Sequence, residues 1–523
     1  MSLLLPQQAS ADTIDQPLAT GEIQQIGPGL YYSETQSFEI AESDASEGLM
    51  GRRHSVVTQT NGPALPQSAP ATRPDLGVFG PGWQAEFLGG ALNRKLVQQG
   101  TTVTVTDLGV GESLRYDRTS SVSFPSGGGV NKYESSEGDK ITETIRWDAA
   151  AGALTSSIVE TIGVDLATTE EGDDTFTDAD GNPVPAADLK PTYTWKQAAP
   201  GADRWRVTGV GSTANGTTTV GYDTQGRVST ITEPAAADTP AESLAVSYAA
   251  ATTATSTTPG DFTGRAKAIT VTTGATVQTV ARYTYDSSGL LRAVTNPVES
   301  GEPVASYTYD TTGRLSDISS PANGAWDLTF PTASAAPDVE PTGPARPAGG
   351  SEIEGAPGLN EPNTPPPASD FVNGEISDPQ ANPRHCSTAG NWMWYEKNGC
   401  ASKVAHYGWH NPHWVKTPGN YWVVGILEDH CTSALDKPSG FDFRASCDMH
   451  DYGYGLIGNT YKGYTYYLDR HKKSAVDAVF HTTLRDRTCP AYKKKTRCRA
   501  IATTYHTAVK YRGNPKNGAN ATH

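Results

Sequence analysis

Tyr309-Asp310-Thr311-Thr312-Gly313-Arg314-Leu315 reads as the end of one strand, a turn and the start of another. Aspartate favours the turn and glycine supplies its positive φ. The same text stands at Tyr285-Asp286, followed by Gly289, Arg292 and Pro297, and at Tyr222-Asp223, followed by Gly226-Arg227 and Pro234. The 309 copy closes on Pro321, and the last two copies start 24 residues apart. One such hairpin cannot bury its apolar face, so the repeat predicts a stacked β array. The text from about 78 to 330 agrees. It is rich in Thr, Val, Gly and Ser, and alternates in runs such as Thr101-Thr102-Val103-Thr104-Val105. That pattern is all-β with little helix.

Working outward, residues 1–75 are polar with few aromatic anchors and are expected to pair only as an edge extension. Residues 76–333 form the β region. Residues 334–383 are a linker: 11 prolines lie between Pro337 and Pro383, with Pro365-Pro366-Pro367 inside. No periodic apolar pattern survives there, so the segment reads as semi-rigid and solvated. From 384 to 523 the text turns aromatic and helical. The fold class is therefore multidomain: a β-rich N-terminal region, a Pro-rich linker, and a small, mainly α-helical, disulfide-stapled C-terminal domain.

The formal net charge of -16 hides a division. From Arg384 onward there are 20 Lys and Arg against 10 Asp and Glu, which leaves 21 basic and 47 acidic residues in the rest. Opposite charge on two blocks implies distinct partners, or a basic block held by an acidic one; drift in surface composition is the plainer account. All six cysteines (Cys386, Cys400, Cys431, Cys447, Cys489 and Cys498) and ten of the eleven histidines lie in the basic block. An even cysteine count so confined reads as a disulfide framework made in an oxidising compartment. Fifteen connectivities are possible for six cysteines; the sequence-local one joins 386 to 400, 431 to 447 and 489 to 498. Zinc is the competing use, but no convincing Cys-x2-Cys or His-x3-His ligand spacing pairs up. The longest apolar run is the short Trp422 to Leu427, so no transmembrane segment is expected. The start, MSLLLPQQASA, has small residues suited to cleavage but lacks a basic beginning and a long apolar part.

The chemistry gathers in Cys447-Asp448-Met449-His450-Asp451-Tyr452-Gly453-Tyr454. On a helix, Cys447 and His450 sit one turn apart, and Asp451 points roughly 100° further round. Such a helix could be pinned by a disulfide, aim a general base into a cleft and offer a hard oxygen ligand beside it. Ester hydrolysis by water needs a base near neutral pH, and histidine is the side chain whose ordinary pKa suits it. A His-Asp pair alone is usually structural. This one arrives with a cysteine frame and further carboxylates at Asp429 and Asp477.

Two resemblances follow. The Tyr-Asp copies resemble the YD repeats of RHS-type proteins, and Phe79-Gly80-Pro81-Gly82-Trp83 is similar to a motif upstream in that family. That likeness covers roughly 75 to 330 and implies a β-shell that encloses or presents a C-terminal toxin. Three copies lead to the expectation of a β-rich carrier, short of a closed shell; a plain Thr/Gly-rich secreted β-module is the alternative. Further on, Asp429-His430-Cys431, Gly440-Phe441-Asp442-Phe443 and Cys447-x2-His450-Asp451-x-Gly453-Tyr454 resemble the prokaryotic, also fungal, secreted phospholipase A2 family. The likeness includes the 16-residue spacing from Cys431 to Cys447 and the helix Lys473-Ser474-Ala475-Val476-Asp477-Ala478-Val479-Phe480. It runs over about 426 to 511, ending in Tyr505-x3-Val509-Lys510.

The second resemblance implies sn-2 ester hydrolysis of glycerophospholipids with His450 as base and Asp477 as its orienting carboxylate. A six-residue insertion around Leu456 to Tyr467 leaves Asp469 as a weaker candidate for that orienting role. It also implies Ca²⁺ on the carboxylates of Asp429 and Asp451 and on the backbone carbonyl of His430, where the family commonly has leucine. The expected partner is a phospholipid membrane surface, bound peripherally, with no nucleic acid; the expected location is extracellular. His481 shares the face of Asp477 and is a minor functional candidate. The cluster Lys493-Lys494-Lys495-x-Arg497-x-Arg499 is either a solvated loop or an attraction for anionic lipid. Two rival readings stand beside this one. The basic, His-rich block would suit a nucleic-acid-degrading toxin. An idle catalytic domain would leave a membrane-binding surface protein.

Overall fold

The computed structural model describes residues 23–341 except 34, 46–49, 58–72, 126, 165, 167–181, 202, 236–239, 299–302, 321–322 and 331–336. In the C-terminal block it describes 389–394, 413–426, 430–432, 434–462, 472–513 and 515. Each Tyr-Asp copy is a hairpin built the same way. At Asp310, Oδ1 accepts the backbone N–H groups of Thr312 (2.8 Å) and Arg314 (3.0 Å), while Oδ2 accepts Arg314 Nε (2.8 Å). Asp223 holds Gln225, Arg227 and the Arg227 guanidinium alike; Asp286 holds Ser288, Leu290 and Arg292. Gly313 closes the turn at φ 79°, a conformation that costs other residues roughly 1 kcal/mol or more.

The tyrosine does the linking between hairpins. Tyr309 Oη donates to the carbonyl of Leu291 (2.8 Å), Tyr285 Oη to Ala266 (2.8 Å) and Tyr222 Oη to Val207 (2.6 Å). The ladder register slips by one residue at each of these tyrosines, a bulge that turns the ring toward its neighbour. The arginine completes the unit: Arg292 lies over the Tyr309 ring at 5.2 Å and Arg314 over Phe330 at 5.0 Å. A fourth hairpin follows the rule without the Asp. Tyr248 Oη donates to Val228 (2.7 Å), its register slips, and Arg227 lies over its ring at 3.9 Å.

Eighteen strands from Arg94 to Pro341 pair consecutively and antiparallel among the described residues, and the sheet closes into a barrel. The region is β-rich as expected, and its closure goes beyond an expectation that stopped short of a closed shell. Hairpins without Tyr-Asp text extend the same sheet, so counting copies understated it. The last strand, Asp338–Pro341, lies inside the stretch read as linker. Residues 342–383, which hold the rest of that linker, lie outside the described residues.

The N-terminal segment also departs from the reading of its polar text. Strands Ile23–Ile26, Gly29–Tyr32, Ser37–Ala45 and Met50–Val57 join Trp83–Phe87 in a five-stranded sheet with its own buried face, including Phe38, Ile40 and Met50. The polarity misleads because several charged residues of this sheet are buried in pairs. Arg52 bonds Asp44 and the Tyr307 hydroxyl and stacks over Trp83 at 4.6 Å; Arg53 bonds Glu39 and Glu86. A buried charge is tolerable only when so paired. The Phe79-Gly80-Pro81-Gly82-Trp83 turn docks this sheet on the barrel. Trp83 Nε1 donates to Tyr309 Oη (2.9 Å), and a Cβ on Gly80 would lie 2.4 Å from the Gly289 carbonyl.

The C-terminal block is helical and small. It comprises Ala389–Met393, the hairpin His413–Lys416 with Trp422–Gly425, and three longer helices: the histidine helix Arg444–Lys462, the aspartate helix Lys473–Thr482 and the terminal helix Lys495–Arg512. Disulfides join Cys431 to Cys447 (Cα–Cα 5.0 Å) and Cys489 to Cys498 (5.5 Å), as the sequence-local pairing predicts. Cys386 and Cys400 lie outside the described residues. No described helix is long and apolar enough to cross a membrane.

This block shares a hydrophobic core with the β region: Leu435, Phe443, Phe480, Leu484 and Ile501 belong to one cluster with Phe87, Leu96 and Tyr193. Polar contacts reinforce the join. Glu112 accepts the N–H groups of Lys495 (2.8 Å) and Thr496 (2.9 Å), capping the terminal helix from the barrel. Arg485 bonds Glu86 (2.8 Å), Arg497 bonds Asp139 (3.0 Å), Lys510 pairs with Glu233, and Arg53 pairs with Asp486. Arg497 and Arg499 of the cationic cluster therefore face carboxylates of the protein rather than lipid; Lys493 and Lys494 are exposed.

Candidate active site

The Cys431–Cys447 bridge anchors the start of the histidine helix, and Asp442 accepts the backbone N–H and guanidinium of Arg444 at its entry. One turn after Cys447, His450 is buried with its ring against Tyr454 (4.1 Å between centroids) and Phe480 (4.7 Å). The aspartate helix packs alongside and delivers Asp477, whose Oδ1 lies 2.9 Å from His450 Nε2. Asp477 is itself buried. Burial alone would push its carboxyl up, but the Lys473 ammonium and the His450 bond outweigh that and hold it well below the usual carboxylate range. An ionised Asp477 can only accept, so His450 Nε2 carries the proton between them, and in the neutral ring Nδ1 is the nitrogen with the lone pair. The arrangement is a buried histidine whose Nε2 is held by a carboxylate, a geometry that could serve a general base.

Tyr454 and Lys473 also converge on Asp477. Tyr454 Oη donates to Oδ1 (2.9 Å), and Lys473 Nζ donates to Oδ2 (2.6 Å). Sequence reasoning assigned neither a role. Both were within reach of the helical rule that residues four apart share a face: Tyr454 is four after His450, and Lys473 is four before Asp477.

Of the oxygen ligands expected for a cation, Asp451 stands on the histidine helix with Oδ1 4.0 Å from His450 Nδ1. His430 has a left-handed backbone, φ 60°. Asp429 and Asp469 lie outside the described residues, and no group of three His, Cys, Asp or Glu converges among the described ones. The donors in question are a carboxylate and a carbonyl, the hard oxygens that calcium takes. Zinc has no claim on Cys431, Cys447, Cys489 or Cys498, which are oxidised. The His430 side chain has an unexpected partner. Its Nδ1 lies 2.7 Å from Asp448 Oδ1, and burial pushes the Asp448 carboxyl up to about 6 despite that bond. His481, the minor candidate, is buried, stacked on His506 (4.5 Å, 5° between planes) and set against Gly89.

Residues 418–513 match the family model of prokaryotic phospholipase A2. A stretch of 26 residues is 62% identical to a secretory phospholipase A2 of Arthroderma benhamiae, covering 5% of this chain and 18% of that relative. The segment matching the prokaryotic phospholipase A2 family contains His450, Asp477, Tyr454 and Lys473, together with both described disulfides. It is about one domain in extent, and the barrel lies wholly outside it.

Proposed function

We propose that the chain is an exported, calcium-dependent phospholipase A2 carried by a YD-repeat, RHS-like β region. The observation that carries the reading is the buried His450–Asp477 pair, bonded through Nε2, on two helices of the segment that matches a phospholipase A2 family. In this reading His450 Nδ1 accepts a proton from a water molecule as its oxygen adds to the sn-2 ester carbonyl. The tetrahedral adduct then expels the lysophospholipid oxygen, which takes that proton back from Nδ1, and a fatty acid is left. Asp477 keeps the ring in the tautomer that makes Nδ1 the acceptor and balances the imidazolium formed between the two steps. The carboxylates of Asp429 and Asp451 and the backbone carbonyl of His430 would hold Ca²⁺. When bound, the ion supplies a positive charge that polarises the ester carbonyl and favours the oxyanion. The disulfides suit an oxidising, extracellular setting.

The deciding experiment is fatty-acid release from mixed phosphatidylglycerol and phosphatidylcholine vesicles by the oxidised full chain, with Ca²⁺ and then with excess chelator. Release abolished by chelator is the expected result. Absence of release under both conditions, with digestion of plasmid DNA by the same preparation, would overturn the reading in favour of a nuclease.

A further inference from the structure

Lys473 is bound more tightly than a surface cation needs to be. Its ammonium has three protons and meets three acceptors: Asp477 Oδ2 (2.6 Å), the Val509 carbonyl (2.9 Å) and the Lys510 carbonyl (3.0 Å). Those carbonyls belong to the last turn of the terminal helix, where a cation is favoured; the Val509 oxygen also accepts the Gly513 N–H (2.8 Å). Just past that turn, Gly513 approaches the Tyr454 hydroxyl so closely that a Cβ there would lie 2.1 Å from it. Tyr454 in turn donates to Asp477 Oδ1, beside His450 Nε2. The dyad, Tyr454, Lys473 and residues 509–513 thus form one closed cluster drawn from three helices.

We propose that Lys473 is a positioning residue for the hydrolytic dyad, clamping Asp477 Oδ2 to the last carbonyls of the terminal helix so that Oδ1 stays against His450 Nε2. The inference rests on the reading of His450 as the base. An ordinary i,i+4 pair on a helix surface contributes little and leaves both side chains free to swing. Here the carboxylate is 1% exposed and the lysine 24%, so neither has that freedom. The carboxylate has two oxygens and one rotational freedom about χ2. Fixing Oδ2 removes the rotation that would exchange the oxygens or tilt Oδ1 from the imidazole plane. The clamp also joins the position of Asp477 to that of the terminal helix, whose other end is capped by Glu112 of the barrel.

A plain helix staple is the competing account, and the test separates the two. In the full chain, Lys473→Met, Lys473→Arg and Gly513→Ala are compared with wild type on the same vesicles with Ca²⁺. The His450 imidazole is read separately by two-bond ¹⁵N–¹H correlation, assigned by the signal lost in His450→Asn. Lys473→Met is expected to lower kcat by on the order of tenfold to a hundredfold with apparent KM unchanged. It should also move the His450 nitrogens from the Nε2–H pattern toward a mixture of tautomers. Lys473→Arg should recover part of both, and Gly513→Ala, which pushes the helix end off Tyr454, should shift them in the same direction as Lys473→Met.

A His450 tautomer unchanged in Lys473→Met overturns the clamp whatever the rates are. So does a drop in melting temperature with kcat per folded molecule intact. If Lys473→Met does not fold, Lys473→Arg and Gly513→Ala carry the same comparison. Should wild type release no fatty acid while the tautomer still moves, the phospholipase reading fails and the clamp stands.

Discussion

At the scale of single residues, the site is a set of bonds with separable contributions. Asp477→Asn keeps the shape of the side chain but removes the charge and lets the amide present a donor to His450. The tautomer is then free to invert, and kcat should fall by on the order of a hundredfold to ten-thousandfold, read from initial rates on vesicles. Full activity in that variant would remove Asp477 from the dyad. His430 makes a different case. Its Nδ1 partner, Asp448, is almost fully buried, so His430→Leu strands a carboxyl with no replacement donor. Thermal unfolding at pH 7 should show a loss of about 1–3 kcal/mol, the cost of an unsatisfied buried group. An unchanged unfolding curve would mean that water replaces the imidazole there. The two pairs also show what a sequence displays. The place of His450 was legible because Cys-x2-His-Asp compresses a disulfide, an imidazole and a carboxylate into one turn of helix. The bond from His430 to Asp448 crosses from a loop to a helix over 18 residues, and no local period announces such a meeting. Lys473 lay in plain view four residues before Asp477, yet a lysine on a helix face is ordinarily solvated, so only the carbonyls of Val509 and Lys510 reveal its use.

At the scale of elements, the hairpin is the unit that the sequence described best. Tyr, Asp, Gly and Arg each do one job: linking to the previous hairpin, organising the turn, supplying positive φ and covering the next ring. Asp310→Ala removes four accepted hydrogen bonds at once and should destabilise the chain by about 1–3 kcal/mol in chemical denaturation. Asp117→Ala is the matched control, because Asp117 lies exposed on a strand and bonds only side chains there; its effect should be within about 0.5 kcal/mol. Equal losses in both would mean that the turn tolerates an unfilled Asp position, as the Tyr248 hairpin suggests for its own longer loop. That fourth hairpin escaped the sequence reading because its aspartate is replaced by Ala249 and its turn is lengthened, leaving only tyrosine and a distant Gly264-Arg265. The N-terminal sheet escaped for the opposite reason. Its strands are buried on both faces in places, with the neighbours Arg52 and Arg53 and with Glu86 at buried positions, and a pattern that assigns charge to solvent reads them as surface. The π-helical turn Thr483–Thr488 continues the theme, with Arg485, Asp486 and Arg487 all buried.

At the scale of the whole molecule, the join between the β region and the helices carries two buried imidazoles whose burial favours the neutral form. His481 lies against the backbone of Gly89, at which a Cβ would come within 2.4 Å of the ring, and the ring is stacked on His506. Its Nε2 has no hydrogen-bond partner among the described residues. Burial is the main cause that holds His481 well below its ordinary value and His506 down at about 3. The neighbours mostly agree: His506, Arg485 and Arg499 act on His481, with Asp486 opposing, and Lys510, Lys473 and His450 act on His506, with Asp477 opposing. In the open or unfolded chain both rings would titrate near 6.5. Between that value and about 3 the open state binds more protons, so stability from these two groups is complete above pH 6.5 and is lost as pH falls below it. Each proton adds a slope of roughly 1.4 kcal/mol per pH unit in that window. Glu42, pushed up to about 7, and Asp448, up to about 6, have the opposite sign, as does Glu233 beside Lys510, because a raised carboxyl favours the folded state as pH falls. Whole-chain stability therefore mixes the two, and the join must be read locally. Backbone hydrogen exchange, corrected for its intrinsic pH dependence, should show residues 86–93 and 473–512 losing protection between pH 7 and pH 5. His506→Phe keeps a ring in the stack and removes one proton site, so its loss of protection should be about half as steep. Identical slopes for wild type and His506→Phe would show that the imidazoles do not govern the join, and that Arg485 with Glu86 and Arg53 with Asp486 hold it through that range without them.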